Sequence, residues 1–295
     1  MKVYPIFEIE ADIEFPESLG TKEKFWITHH GKLSLLKFGR ENTGEDWAEK
    51  AACELCRLLG LPGAHYDFAT FAGRRGVVSP TLVEDGGRLI LGNELISQVS
   101  KDYDGARSYL QREHTVSRVF AALKRHSIMN YQETWHDFLG YLMLDGWIGN
   151  TDRHHENWGL IRAPTGQVVL APTFDHASSL GRELSDDTRR RRLDTRDMRY
   201  SITAFADKAR SALFADPTDK QPLSPIDAFT FAARVQRGSG FYWLDQLRSV
   251  SEKQVTGVFD KMPDGVMTDA AKEFACALLA TNRNTLLSSL RNDDD

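Results

Sequence analysis

The chain has 295 residues, of which 41% are hydrophobic and 27% are charged, and its net charge is −5. This length allows one bilobal domain or two small ones, and the acidic balance argues against a general nucleic-acid-binding protein. Three cysteines are too few for a disulfide framework and favour a reducing compartment.

Neither a signal-peptide pattern nor an apolar run of the roughly 20 residues needed to span a membrane is present in the sequence. We therefore expect a cytoplasmic protein, or an effector secreted by a route without a signal peptide. No membrane or direct nucleic-acid partner is expected. Cys53 and Cys56 form a C-x-x-C pair in a helical stretch, where buried core thiols are the favoured interpretation.

The first part of the chain has the pattern of a strand-rich lobe. Lys24–His29 and Leu33–Phe38 are rich in aliphatic and aromatic residues and flank the turn signal His30-Gly31, which predicts a hairpin. Residues 44–59 repeat apolar side chains at helical spacing, which predicts a helix ending at Gly60. Further strands are predicted at 66–71 and 76–79, joined by residues 73–75.

The second part is mostly helical. Helices are predicted at 106–126, 133–148, 225–235, 240–249, 251–261 and 268–290. A short hairpin is predicted at 158–162 and 167–170. The charged run Ser185–Asp197 is expected to form a solvated loop, although its arginines could also dock a substrate. The order predicts an α+β protein with a strand-rich lobe at 1–90 and a helical lobe at 91–295.

The densest polar cluster lies around the second hairpin. Asp152 and Asn157 are five positions apart, the same offset as in the catalytic loop of protein kinases, and Asp175 follows one hairpin later. Phosphoryl transfer needs a carboxylate and a second oxygen ligand to hold Mg²⁺, and a separate carboxylate to face the incoming hydroxyl. This set of side chains therefore indicates phosphoryl transfer.

The motifs GNTDRHHEN, at 149–157, and LAPTFDHAS, at 170–178, resemble those of the HipA-like serine/threonine kinases, which carry G-N-x-D-x-H-x-x-N and then L-x-P-x-x-D. Upstream, SLGTKEKF at 18–25 is similar to the phosphate loop of that family. Lys37 matches its strand lysine, and Glu49 matches the helix glutamate that pairs with the lysine. The resemblance spans residues 18 to about 180.

The resemblance implies a bilobal protein-kinase-like fold and transfer of the γ-phosphate of ATP, with Mg²⁺, to a serine or threonine of a protein. It implies that Asp152 is the catalytic base, that Asn157 and Asp175 bind the metal, and that Lys37, held by Glu49, binds phosphate. The other residues implied to lie at the nucleotide are Ser18, Gly20, Thr21, Lys22, His154 and, from position alone, the hinge residues Leu82, Val83 and Glu84. We expect a hydrogen-bonding role for His154, and autophosphorylation at Ser18 or Thr21.

The predicted phosphate loop begins near residue 18, so we expect the chain to lack the N-terminal subdomain of full-length HipA proteins. The resemblance implies a toxin or effector, with a small antitoxin or a subdomain-like protein as a partner. An aminoacyl-tRNA synthetase or another translation factor is the substrate class that the full-length toxins suggest.

Several alternatives stay open at this point. The run D-R-H-x-x-N also resembles phosphoinositide kinases, which allows a lipid or small-molecule kinase, and an ATP-binding pseudokinase is a third function. Asp152 could instead end the preceding helix. Histidines 154, 155 and 176 could hold zinc or iron. Glu45 or Glu54 could replace Glu49 as the partner of Lys37.

Overall fold

The computed structural model describes residues 2–10, 12–17, 23–107, 110–127 and 130–290. Its N-terminal lobe contains the strands β1 (Ile6–Glu8), β2 (Ile13–Pro16), β3 (Lys24–His29), β4 (Lys32–Phe38), β5 (Asp67–Phe71) and β6 (Arg74–Pro80), and the helix α1 (Glu45–Leu58). The six strands form one sheet in the order β1-β5-β6-β4-β3-β2. Helix α1 packs on this sheet through contacts with β5 and β6.

The predicted hairpin is confirmed as β3 and β4, which pair antiparallel. Its turn contains His30 and Gly31, both with positive φ, 50° and 71°, the backbone conformation that a tight hairpin turn requires. The register places Lys24 directly opposite Lys37. Because directly opposed residues project from the same face of a sheet, the two lysine side chains lie on one side of it.

The second predicted strand pair is also present, but its turn is shorter than expected. Ala72 and Gly73 alone form the turn, with φ values of 49° and 75°, so Arg74 and Arg75 belong to β6. Helix α1 is confirmed, and Cys53 and Cys56 on it are free, buried thiols, as predicted. Its first turn carries Glu45 and Asp46, which suit the positive end of the helix dipole.

The second lobe is helical around a small sheet. The sheet has the order β7-β8-β9, with β7 (Arg88–Leu91), β8 (Gly159–Arg162) and β9 (Val168–Leu170). The helices are α2 (Gly92–Ser97), α3 (Val116–His126), α4 (Tyr131–Ile148), α5 (Asp186–Asp194), α6 (Ile202–Ala206), α7 (Pro225–Ala233), α8 (Arg237–Ser249), α9 (Glu252–Phe259) and α10 (Asp269–Ser289). None of the helices in the described ranges has both the length and the hydropathy needed to cross a membrane.

Helix α4 is the centre of this lobe. From Phe138 to Ile148 it is buried on all sides, and it packs against α7, α8 and α10. It ends at Gly149, whose φ of 65° gives a left-handed cap that only glycine adopts at no cost. The chain therefore leaves α4 sharply and enters the polar loop at a fixed position.

Two predictions in this lobe were wrong. The helix expected at 106–126 begins only at Val116, because the hydroxyl of Thr115 caps it by accepting the N–H of Arg118 at 3.2 Å. The expected loop at 185–197 contains the helix α5. Ser185 caps α5, acidic residues fill its first turn, and Arg189 is buried and donates to the carbonyl of Gly181.

Candidate active site

Lys37 is a buried residue of β4. Its ammonium nitrogen is 3.4 Å from Oδ1 of Asp175 and 3.9 Å from Oε1 of Glu49, and it donates to the Tyr66 hydroxyl at 3.3 Å. Burial alone would lower the pKa of Lys37, but the two carboxylates outweigh it and hold the pKa above its ordinary value. The lysine therefore stays charged in this site.

Glu49 is the glutamate of α1 that reaches Lys37. It is 1% exposed, and its Oε1 also accepts the backbone N–H of His176 at 3.1 Å, which ties α1 to the segment after β9. Glu45 instead pairs with Arg40 and Arg182, and Glu54 pairs with Lys50 and Arg57. Of the three glutamates considered from the sequence, Glu49 is thus the one placed beside Lys37.

The carboxylate of Asp175 lies between two lysines. Lys37 contacts Oδ1, and Nζ of Lys24 lies 3.4 Å from Oδ2. The backbone of Asp175 has a positive φ of 57°, a strained conformation for a residue other than glycine, and its N–H donates to the Tyr66 hydroxyl at 3.3 Å. Neither Lys24 nor Tyr66 was predicted from the sequence to have a role in the site. The hairpin register, which sets Lys24 opposite Lys37, is the signal that could have identified Lys24.

A buried ion pair holds the loop after α4. The guanidinium of Arg153 is 1% exposed and donates to Oδ2 of Asp145 at 2.7 Å, to Oδ1 at 2.8 Å and to Thr173 Oγ1 at 3.0 Å. Asn150 Nδ2 donates to the same Asp145 carboxylate at 2.8 Å. These contacts fix the loop against α4 and against the segment that leads to Asp175. Since Gly149 caps α4, Asp152 is not needed to end that helix.

Asp152 and Asn157 lie on this loop. The side chain of Asp152 is 46% exposed, and its Oδ2 accepts the Ser178 hydroxyl at 3.5 Å. Asn157 Nδ2 donates to the carbonyl of Asp152 at 2.7 Å, which leaves Oδ1 as the amide's acceptor atom. Thr151 N–H donates to the carbonyl of Ser178 at 3.0 Å, so the loop runs beside the segment after Asp175.

The three histidines considered as a metal site make separate contacts. His154 Nδ1 accepts the backbone N–H of Glu156 at 3.1 Å, His155 bonds to the Tyr103 hydroxyl, and His176 Nε2 lies 2.8 Å from Thr173 Oγ1. Burial holds the pKa of His176 well below its ordinary value. Within the described part of the chain, no group of three or more histidine, cysteine, aspartate and glutamate side chains could hold a metal. The zinc or iron alternative is therefore wrong for these residues.

The remaining predicted residues fall in two places. Leu82, Val83 and Glu84 lie in the link between β6 and β7, where Leu82 and Val83 are partly buried and Glu84 is exposed. Their proposed role as the adenine hinge remains a prediction. The predicted phosphate-loop residues Ser18, Gly20, Thr21 and Lys22 lie outside the described residues.

The family model described as the HipA-like C-terminal domain matches residues 18–229, more than half of the chain. The chain belongs to the HipA-like family. The match begins at the predicted phosphate loop and contains both polar motifs. No curated protein sequence matches the chain.

Solved structures give the fold of this HipA-like protein. The proinflammatory kinase CtkA of Helicobacter pylori matches with a TM-score of 0.80 and 19% identity, over 97% of this chain and 96% of that one. HipA of Shewanella oneidensis, solved with HipB and operator DNA, matches with a TM-score of 0.58 and 15% identity, over 96% of this chain and 67% of that one. Because the sequence identities are low, these matches are evidence for the fold alone. The structural similarity confirms the predicted α+β, bilobal, kinase-like fold.

Proposed function

We propose that this chain is an ATP- and Mg²⁺-dependent kinase that transfers the γ-phosphate to a serine or threonine of a protein. The observation that carries the proposal is the buried contact of Lys37 with both Asp175 and Glu49, at 3.4 Å and 3.9 Å. That contact joins the sheet, α1 and the segment after β9 at one point. Asp152 and Asn157 lie on the loop that runs beside this segment.

The donor set fits Mg²⁺. A carboxylate at Asp175 and an amide oxygen at Asn157 are hard ligands, and Mg²⁺ in kinases takes few protein ligands besides water and phosphate oxygens. The amide nitrogen of Asn157 is occupied by its hydrogen bond to the Asp152 carbonyl, so the amide oxygen, Oδ1, is the atom that would bind a cation. When bound there, the metal would neutralise charge on the phosphates.

Lys37, Glu49 and Asp152 would have separate roles in the transfer. Lys37 stays protonated and would bind phosphate oxygens, while Glu49 holds it in position. Asp152 would accept a hydrogen bond from the acceptor hydroxyl and take its proton. The hydroxyl oxygen then bonds to the γ-phosphorus, the bond from that phosphorus to the β-phosphate oxygen breaks, and ADP leaves with the electron pair.

The likeness to the HipA neighbour supports a proposal about partners. That protein was solved with HipB and operator DNA, so we propose a small antitoxin-like protein as a partner of this chain too. The net charge of −5 gives no support for direct DNA contact. A translation protein, such as an aminoacyl-tRNA synthetase, is the acceptor that we propose to examine first.

The lipid or small-molecule kinase is weaker as a second candidate. Its support was the run D-R-H-x-x-N, but the arginine of that run, Arg153, is buried against Asp145 and acts as a scaffold. A scaffold arginine says nothing about the acceptor. A pseudokinase is also weaker, because Lys37, Asp152, Asn157 and Asp175 are all present.

The test is transfer of label from [γ-³²P]ATP by the purified protein with Mg²⁺. The acceptors are phosphatase-treated bacterial lysate, vesicles containing phosphoinositides, and aminoglycosides, each offered separately. We expect labelled serine or threonine in lysate proteins, and labelling slower by on the order of 10²-fold or more with the Asp152→Asn variant. If only the lipid or the aminoglycoside is labelled, the acceptor is not a protein. If no acceptor is labelled, the proposed kinase function is wrong.

A further inference from the structure

A cavity of about 780 Å³ lies in the helical lobe next to the loop that carries Asp152. Its wall includes Thr151 and Ser178, together with residues 205–210, residues 221–227 and one side of α10. This volume lies within the usual range of ligand sites. We call it the helical-lobe cavity.

The helical-lobe cavity ends next to the predicted catalytic base, because its lining residues Thr151 and Ser178 both adjoin Asp152. Thr151 directly precedes Asp152, and the hydroxyl of Ser178 donates to Oδ2 of Asp152 at 3.5 Å. A general base must lie within hydrogen-bond reach of the proton that it takes. A group seated at the Ser178 end of the cavity would lie beside the hydroxyl that contacts Asp152.

Side-chain contacts support two parts of the cavity wall, next to Ser178 and at Arg192. Arg182, in the segment after Asp175, donates to the Ser178 hydroxyl at 3.3 Å and pairs with the buried Glu45 of α1 at 2.9 Å. Arg192 lies over the rings of Tyr200 and Phe205. These contacts hold the Ser178 end and the Arg192 side of the cavity in place.

The lining favours a protein segment over a lipid or an amino sugar. It combines apolar side chains, such as Leu223 and Ile226, with charges of both signs, such as Lys208 and Glu183. A phosphoinositide headgroup would need mainly cationic side chains, and an aminoglycoside would need mainly carboxylates. Within the residues that the structure describes, neither Lys208 nor Glu183 forms an ion pair, so both can contact a ligand.

We propose that the helical-lobe cavity binds the acceptor segment of the protein substrate, with its serine or threonine at the Ser178 end, beside Asp152. Lys208 contacts an acidic side chain that flanks the acceptor residue. This inference rests on the proposed kinase function and adds the place and chemistry of the acceptor. The atoms exchanged are those of the transfer given above.

Two variants and two matched controls test the proposal. Ala206→Trp fills the cavity, and Ala163→Trp adds the same ring to the β8–β9 turn, away from it. Lys208→Glu reverses a charge in the lining, and Lys220→Glu reverses an exposed charge outside it. Each protein is incubated with Mg-ATP and phosphatase-treated lysate, phosphorylated sites are mapped by mass spectrometry, and the affinity for the ATP analogue AMP-PNP is measured separately.

We expect Ala206→Trp to lower the rate of protein phosphorylation by at least about 10-fold, with AMP-PNP affinity unchanged within about twofold. We expect Lys208→Glu to lose the sites with flanking acidic residues, and both controls to match the wild type. The Lys208 variant keeps the test informative if the tryptophan prevents folding, because Lys208 is exposed.

Two results would contradict the proposal. If both cavity variants phosphorylate the wild-type sites at the wild-type rate, the cavity is not the acceptor site, while the kinase function stands. If the wild type itself labels no protein, the proposed function fails and this inference fails with it.

Discussion

The ammonium group of Lys24 lies 3.4 Å from Oδ2 of Asp175, across the same carboxylate from Lys37. Lys24 is 8% exposed, so this is a largely dehydrated contact in which charges interact more strongly than in water. The relationship follows from the β3–β4 register, which aligns the two lysines on one face of the sheet. It gives the proposed phosphate site two cations where the sequence pattern had indicated one.

Replacing Lys24 tests whether this second cation contributes to nucleotide binding. We expect Lys24→Met to weaken the affinity for Mg-AMP-PNP by about 10-fold, since an ammonium group beside the phosphates is lost. Lys32→Met, an exposed lysine of the same hairpin, is the matched control and should bind as the wild type does. Tighter binding in Lys24→Met would instead show that Lys24 competes with the metal for Asp175. Isothermal titration calorimetry distinguishes the two results.

The Asp152→Asn variant separates chemistry from binding. We expect the turnover rate for protein phosphorylation to fall by on the order of 10²- to 10⁴-fold, because a positioned base is lost. The dissociation constant of AMP-PNP should stay near the wild-type value, since the Asp152 carboxylate is assigned to the acceptor. Asp264→Asn, at an exposed position, is the control. Wild-type turnover in Asp152→Asn would remove the role given to Asp152.

We expect the buried ion pair of Arg153 and Asp145 to contribute strongly to the free energy of unfolding. Arg153→Leu leaves the Asp145 carboxylate buried without its cation, which typically costs about 3–5 kcal/mol. Arg248→Ala breaks the exposed pair of Arg248 with Asp245 and should cost about 0–1 kcal/mol. Urea denaturation of both variants gives the free energies of unfolding. Equal, small losses would mean that the buried pair does not hold the loop.

His114 gives the protein an acid-sensitive element. It is buried, its Nδ1–H donates to the carbonyl of Ala212 at 2.9 Å, and Nε2 accepts the Trp158 N–H at 3.1 Å, so the neutral ring is the form that fits. Burial lowers its pKa from 6.5 to about 3. Below pH 6.5 the unfolded chain therefore takes up a proton that the folded chain does not, and stability falls as pH falls.

We expect His114 alone to reduce the free energy of unfolding by about 2 kcal/mol between pH 6.5 and pH 5. Urea denaturation of the wild type and of His114→Gln at both pH values checks this. The variant lacks the titrating group, so its stability should fall less over the same interval. Parallel loss in both proteins would show that His114 is not responsible.

The local patterns of the sequence were sufficient for much of the fold. The β3–β4 hairpin, α1 and α4 each have a strong periodicity and a clear end signal such as Gly60 or Gly149, and the structure has all three. Helix α5 was missed because no apolar periodicity marks it, and its caps and the buried Arg189 stabilise it instead. The start of α3 was misplaced because Thr115 was not recognised as its cap.

The site was predictable to a similar extent. Motif spacing indicated Asp152, Asn157 and Asp175, and the structure places their segments side by side. The roles of these residues remain predictions. Lys24 and Tyr66 could not be found from local pattern, because their partner Asp175 lies more than a hundred residues away in the chain. Contacts of that kind depend on how the two lobes pack, which a local pattern does not contain.

The most direct test of the account is the Mg²⁺ dependence of nucleotide binding in the Asp175→Asn variant. Asparagine tolerates the positive φ at this position, so the backbone should be kept while the charged ligand is lost. AMP-PNP affinity is measured by calorimetry with Mg²⁺ and with EDTA. We predict at least about a 10-fold gain from Mg²⁺ in the wild type and little or none in the variant. An equal gain in both proteins would contradict the claim that Asp175 binds the metal.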